Sequence, residues 1–167
     1  MRFPLLGASS RQELYQGGHM PERATIRRAR EDKRRGKSAS TQAGEFVREE
    51  IHHIREGKHG ARSTKQAIAI GLSMARRAGV KLPTPAKGTA SGETRRKAKA
   101  DSAKGRRRKT KPAAKRSRGV TRALRKEGRA AASHRALARQ AKSTARHRSA
   151  AQRSASARKA ARTRARG

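Results

Sequence analysis

Three histidines, His52, His53 and His59, fall close together among four glutamates, Glu45, Glu49, Glu50 and Glu56. Imidazoles and carboxylates at short spacing are the raw material of a metal site, which needs neutral imidazoles converging with a further ligand. Adjacent residues on a helix diverge by about 100°, so His52 and His53 cannot both face one ion, and the surrounding arginines oppose a cation. The expectation is solvated or capping histidines and no metal. The carboxylates could do acid–base work only in a concave, partly dry pocket that tunes their pKa, and a two-helix unit can scarcely build one. Pairing along the helix face is expected instead: Glu45 and Glu49 repel each other at i, i+4, with Arg48 and Arg55 at hand to neutralise them. Gly57 and Gly60 do not make a phosphate loop, because no strand precedes them and the Gly-Lys-Ser/Thr ending is missing. Ser73 has no His/Asp framework around it. Cysteine is absent, which excludes disulfides, thiolate metal sites and cysteine nucleophiles. No catalytic residue and no cofactor is expected, and the chain reads as a non-enzyme.

What the sequence holds in abundance is positive charge. It carries 47 Lys+Arg against 11 Asp+Glu, a formal net charge of +36 in 167 residues, with a pI near 12.0. Such a chain needs a dense counter-charge, and nucleic acid is the commonest one in a cell. A basic helix on a membrane surface wants Trp, Phe or Leu on its other face, whereas Trp is absent and Phe and Tyr together number three. Nor does any apolar run approach the roughly 18 residues of a membrane span. Residues 93–167 hold 28 Lys+Arg and only three acids, Glu93, Asp101 and Glu127. The phosphate-binding side chains expected there are Arg95, Arg96, Lys97, Arg106, Arg107, Arg108, Lys109, Lys111, Lys115, Arg116, Arg118, Arg122, Arg125, Lys126, Arg146, Arg148, Arg158, Lys159, Arg162 and Arg164. Their spacing is read as scattering charge around any helix that forms, which suits a bed of phosphates more than one groove. No aromatic accompanies them, so the base stacking of single-strand and RNA readers is missing, and DNA is favoured over RNA.

The elements that must position these residues are helical. Pro21 and Glu22 suit a helix start, and 23–35 is helix-prone but polar, ending at Gly36. Ser40 or Thr41 is placed to cap a second helix running to Glu56, whose Ala43, Val47, Ile51 and Ile54 share one face beside Phe46. Gly57 stops it. Ser63-Thr64-Lys65-Gln66 is a capping box, with the Ser63 hydroxyl on the third helical amide and Gln66 reaching back to the Ser63 amide. The helix it opens ends at Gly79, before Pro83. The expected hairpin core is Phe46, Val47, Ile51, Ile54, Ile68, Leu72 and Ala75. Ile68, Ile70, Leu72 and Met74 exceed what one stripe requires, which suggests a second contact surface such as a homodimer. A helix-turn-helix reading would put Lys65, Arg76 and Arg77 on DNA, but the first turns of that helix are mostly apolar where base-reading side chains belong.

The stretch GEFVREEIHHIREGKHGARSTKQAIAIGLSMARRAG, residues 44–79, resembles the core of a family of short, uncharacterised bacterial proteins. The Met-Pro-Glu opening at 20–22, the KQAIAIGLS helix at 65–73 and the basic, alanine-rich tail are similar to that family too. The resemblance implies a start at Met20 and no particular function. Residues 16–20, Gln-Gly-Gly-His-Met, can be encoded by a purine-rich ribosome-binding sequence ahead of an ATG, which agrees with 1–19 being translated leader. A purification-tag remnant and a genuine disordered N-terminus are the alternatives. Charge and low mean hydropathy, −1.10, point to disorder wherever apolar area is too small to offset chain entropy. The expected plan is mostly α: a leader (1–19), a basic, partly helical segment (20–39), a hairpin of two to three helices (40–82), a linker (83–94) and a long disordered tail (95–167) that becomes helical on binding. The function expected is that of a cytoplasmic, nucleoid-associated, histone-like protein that neutralises and bridges DNA. An RNA- or ribosome-associated protein and an adaptor whose hairpin docks a protein are the rivals.

Overall fold

Seven α-helices and one short 3-10 turn make up the residues that the computed structural model describes, 21–106 and 114–165, the side chains of 114–117 and Thr163 apart. The helices are α1 (Arg23–Arg34), α2 (Ala39–Arg55), α3 (Thr64–Arg77), α4 (Gly92–Arg106), α5 (Ala114–Arg125), α6 (His134–Arg146) and α7 (Ala150–Ala165), with the 3-10 turn at Ala130–Ala132. The leader read at 1–19 lies outside the described residues.

Local chemistry sets most boundaries. Helix α1 ends before Gly36, which adopts φ 69°, and α2 before Gly57 at φ 78°. The cap of α2 is Ser38 and not Ser40 or Thr41: the Ser38 hydroxyl accepts the Thr41 amide at 3.3 Å. At α3 the Ser63 hydroxyl accepts the Gln66 amide at 3.2 Å, as the capping-box spacing predicts. Gln66 Oε1 does not return to Ser63 but takes the Arg62 amide, at 2.8 Å. Ser63 thus satisfies one orphan amide of the helix start, while Gln66 ties down the residue before the cap.

Helices α2 and α3 form the central pair. Gly71 lies buried where they touch, and a Cβ there would stand only 2.7 Å from Val47 Cα, so the helices approach through the missing side chain. One apolar cluster gathers Ala29, Ala43, Phe46, Met74 and Ala75, bringing α1 onto the pair. The other gathers Ile51, Ile54, Ala61, Ala67, Ala131 and Ala132, with Val47 and Leu137 against it. Phe46 and Ile54 are fully buried, each contributing roughly 1.5–3 kcal/mol. Of the expected hairpin core, Phe46, Ile51, Ile54 and Ala75 are buried, whereas Val47, Ile68 and Leu72 are only partly so. Ala43, Ala67 and Met74 take their place because α3 is gripped from more than one side.

The expectation of a small hairpin followed by a disordered basic tail is overturned. Residues 92–165 carry four helices and the 3-10 turn, and much of this half is docked. Ser91 caps α4 by accepting the Thr94 amide, at 3.2 Å, so α4 starts inside the segment read as a linker. Helix α4 packs on α3 through buried Ala98 and a Ser73–Asp101 hydrogen bond of 2.8 Å. Gly105 lies so close to the Arg76 carbonyl that a Cβ there has no room. Farther on, the Gly60 amide donates to Leu124 O (2.9 Å) and the Ala61 amide to Gly128 O (3.1 Å). The buried Thr64 hydroxyl donates to Ala131 O at 2.7 Å, and Arg55 Nε to Ala132 O at 2.8 Å. The cause is twofold. Alanine, arginine and lysine are strong helix formers, and some apolar residues of the tail find cover: Ala131, Ala132 and Leu137 join the cluster around Ile51 and Ile54, and Ala98 and Leu124 are buried, while Val120 stays exposed. Of the extra apolar residues of α3, Met74 is buried, Ile70 and Leu72 pack half-buried against the cluster around Phe46, and Ile68 is half-buried. Helix α7 remains exposed along its described side chains. Among the described residues no helix is long and apolar enough to cross a membrane.

Candidate functional site

Folding turns the excess of cations into a pattern. Arg135, Arg139, Lys142 and Arg146 stand at spacings of four, three and four on α6 and are all exposed. At 3.6 residues per turn they fall within a stripe about 60° wide and about 16 Å long. Leu137 faces the other way, into the apolar cluster around Ile51 and Ile54. Helix α1 repeats the register with exposed Arg23, Arg27, Arg30 and Arg34. On α5, exposed Arg118, Arg122 and Arg125 share one line and Leu124 is buried. The expectation that charge scatters around any helix therefore fails for α6 and for the described side chains of α5, because half-buried Leu137 and buried Leu124 fix which face meets water. It holds on α7, where Arg153 and Arg164 fall roughly opposite Arg158, Lys159 and Arg162.

The remaining expected phosphate ligands divide by environment. Arg96, Arg106, Lys126 and Arg148 are exposed. Arg95 is half-buried, with Nε 3.3 Å from the Pro85 carbonyl, and Lys97 pairs with Glu93 at 2.6 Å, a hydrogen bond that holds the Glu93 carboxyl below its usual range. Arg107, Arg108, Lys109 and Lys111 lie outside the described residues, as do the side chains of Lys115 and Arg116. Arg76, one of the side chains a helix-turn-helix would need, is buried and donates to the Pro83 carbonyl at 3.2 Å. Helix α3 packs against α2 and α4, and of its residues only Lys65 and Ala69 are exposed. The stripe residues of α1, and Arg135, Arg139 and Lys142, were missed in the sequence, although the four–three–four spacing is visible there once a helix is granted.

The α6 stripe borders a groove of about 470 Å³ at the start of α3, lined by Arg62, Ser63, Thr64, Lys65, Ala130, Ala131, Ala136, Arg139, Gln140 and Ser143. Three cations, four hydroxyl or amide side chains and no acid line it, at a helix N-terminus, where anions are favoured.

The acids gather elsewhere, in a pocket between α1, α2 and the loop at 57–62. Glu45 is paired with Arg28 at 2.7 Å and with Arg48 at 3.2 Å. Arg55, expected to share that task, is turned to Ala132. Glu49 is buried, and its Oε1 accepts the Glu22 amide at 2.7 Å. His52 is exposed and 2.8 Å from Glu56, whose carboxyl the Lys58 ammonium holds below its usual range. The neighbouring histidines depart from the expectation of solvated rings: His53 is 17 % exposed and His59 7 % exposed. Their rings meet edge to face with centroids 6.2 Å apart. His53 Nε2 lies 3.0 Å from Glu22 Oε1, a hydrogen bond that lowers the Glu22 pKa. His59 Nδ1 lies 3.2 Å from Gly60 O and Nε2 3.7 Å from Glu50 Oε2; burial lowers the His59 pKa. Glu50 is fully buried, neither of its oxygens has a hydrogen-bond partner, and burial, with Glu49 beside it, raises its pKa to about 7. Glu49, Glu50 and His59 are thus buried side chains, although a two-helix unit alone was expected scarcely to build a dry site.

Residues 30–87 match the model of a family of unknown function (DUF6496), a match that takes in α2, α3 and the pocket loop but neither Glu22 nor the basic helices beyond α3. No curated protein matches the chain, and no solved structure does.

Proposed function

We propose that this protein binds nucleic acid through its phosphates, without reading sequence, and that duplex DNA is the polymer it neutralises and bridges, as a histone-like nucleoid protein does. The observation that carries the reading is the set of exposed cation stripes on α1, α5 and α6, with α1 held to the core by buried Thr25 and Ala29, α5 by buried Leu124 and α6 by half-buried Leu137. Rigid stripes place several guanidinium and ammonium groups at once along a polyanion, and less side-chain and backbone entropy is lost than by a free tail. Phosphate contacts of this kind position a protein without specifying bases. No acidic residue follows Glu127, so α6 and α7 face a phosphate backbone with no acidic residue of their own to repel it. Helix α7, with cations on two opposed faces, suits a position between two duplexes. No aromatic residue follows Phe46, and Phe46 is buried, which leaves the described basic surface without a stacking platform and favours a duplex over single strands.

The test is a competition shift assay on nuclease-treated full-length protein, with duplex DNA, tRNA and heparin at two salt concentrations. Duplex DNA is expected to be held in preference to tRNA, and its sequence is expected not to matter. Binding confined to tRNA would move the reading to RNA. Binding to none of the three near physiological salt would end it.

A further inference from the structure

Glu50 is the feature of the acidic pocket that phosphate binding leaves unexplained. It is fully sealed from solvent, and neither carboxylate oxygen has a hydrogen-bond partner. Among the described residues it stands in an ion-pair contact with His59 Nε2, at 3.7 Å, which is beyond hydrogen-bond distance. A buried carboxylate left without donors is costly, and a cation is the compensation its surroundings are arranged to accept. Glu50, His53 and His59 each aim a ligand atom into one small volume, all within 4.8 Å of one another. Donor atoms around a tetrahedral ion with bonds of roughly 2.0–2.2 Å stand about 3.4 Å apart, so shifts on the order of an ångström or less complete the shell. A second overlapping group, Glu22, Glu49 and His53, meets the same 4.8 Å limit, and Glu49 Oε2 is buried with no partner of its own.

The supporting contacts are those of a metal site. Ligating imidazoles are oriented by a backbone carbonyl or a carboxylate on the other ring nitrogen. His59 Nδ1 faces the Gly60 carbonyl at 3.2 Å, and His53 Nε2 faces Glu22 Oε1 at 3.0 Å. Glu50 and His53 stand three apart on α2, the carboxylate–imidazole spacing by which one helix face offers two ligands to an ion in a helical bundle. Two imidazole nitrogens and a carboxylate oxygen suit a borderline transition metal. Calcium and magnesium, by contrast, want six or more oxygens.

We propose that Glu50, His53 and His59 bind one divalent transition-metal ion of the zinc class, with Glu49 and Glu22 as the flanking carboxylates. The ion ties α2 to the loop at 57–62. That loop's Gly60 and Ala61 amides hold Leu124 and Gly128, so the same ion fastens the docking of the basic C-terminal half onto the helical core.

The experiment uses full-length protein stripped with chelator and freed of nucleic acid. Co²⁺ is titrated by visible absorption and displaced with Zn²⁺, and retained metal is measured by elemental analysis after gel filtration. One equivalent of Co²⁺ with ligand-field bands, displaced by one Zn²⁺, and a higher unfolding temperature with metal are expected. Glu50→Gln and His59→Gln are expected to abolish stoichiometric binding, and Glu22→Gln to weaken it by about 10–100-fold. A variant replacing the exposed His52, His134 and His147 by Gln is expected to retain the ion. Should Glu50→Gln or His59→Gln fail to fold by circular dichroism, the wild-type stoichiometry and the exposed-histidine variant decide the matter. Less than one retained equivalent in wild-type protein at micromolar Zn²⁺ overturns the proposal, as does loss of the ion in the exposed-histidine variant.

Discussion

Replacing Arg135, Arg139, Lys142 and Arg146 of α6 together by glutamine removes four charges from one face and leaves the helix its intrinsic propensity nearly unchanged. None of the four is buried, and α6 is held to the core by Leu137 on its other side, so the fold is expected to survive. If all four meet phosphates on a duplex, the slope of log K against log salt becomes shallower by about 3.6, at about 0.9 per phosphate neutralised. Between roughly 50 and 200 mM salt the wild-type protein then loses about 150-fold more affinity than the variant does. Fluorescence anisotropy with a labelled duplex at four or five salt concentrations reads this directly, and an unrelated duplex sequence should give the same slope for both proteins. A slope unchanged within about half a unit, with helicity intact, would show that the α6 stripe does not touch phosphate and would refute the reasoning from stripe geometry. A slope that moves on one sequence alone would refute the absence of sequence readout.

Further outcomes follow from the packing. Gly71→Ala puts a Cβ 2.7 Å from Val47 Cα, and forcing α2 and α3 apart should cost about 1–3 kcal/mol despite the better helix former. Gly44→Ala, on exposed α2 surface with nothing within 4 Å, should instead stabilise by up to about 1 kcal/mol; thermal unfolding compares the two. Thr64→Val strands the buried Ala131 carbonyl at a cost of about 1–3 kcal/mol, and limited trypsin digestion should then cut the 129–146 region faster than in wild type. In chelator, the raised Glu50 pKa, about 7, means that the folded state holds its proton more tightly than the unfolded chain does. Stability is then fully present below the unfolded carboxylate range and is lost as pH rises to about 7, by on the order of 3 kcal/mol. Glu50→Gln should flatten that loss. The opposite drift contributed by His59 is common to both proteins and cancels in the comparison, so parallel pH profiles for wild type and variant would contradict the assignment of burial to Glu50.

Helix starts and stops were legible in the sequence wherever one residue's covalent chemistry settles the matter. Ser63 caps α3, Gly36, Gly57 and Gly79 take positive φ, and none of these needs a distant partner. The charge was equally legible: a chain with 47 basic and 11 acidic residues needs an anion whatever its fold. Two things depended on long-range packing. One is the C-terminal half, whose leucines and alanines are too sparse to announce a core, yet some of which find cover in the fold. That docking turns a list of arginines into stripes, since a stripe exists only once a buried residue fixes which way the helix faces. The other is the acidic pocket. His59 and Glu50 are nine residues apart and, as sequence, no different from solvated neighbours. Only their burial in the tertiary fold removes the water that would have kept them ordinary.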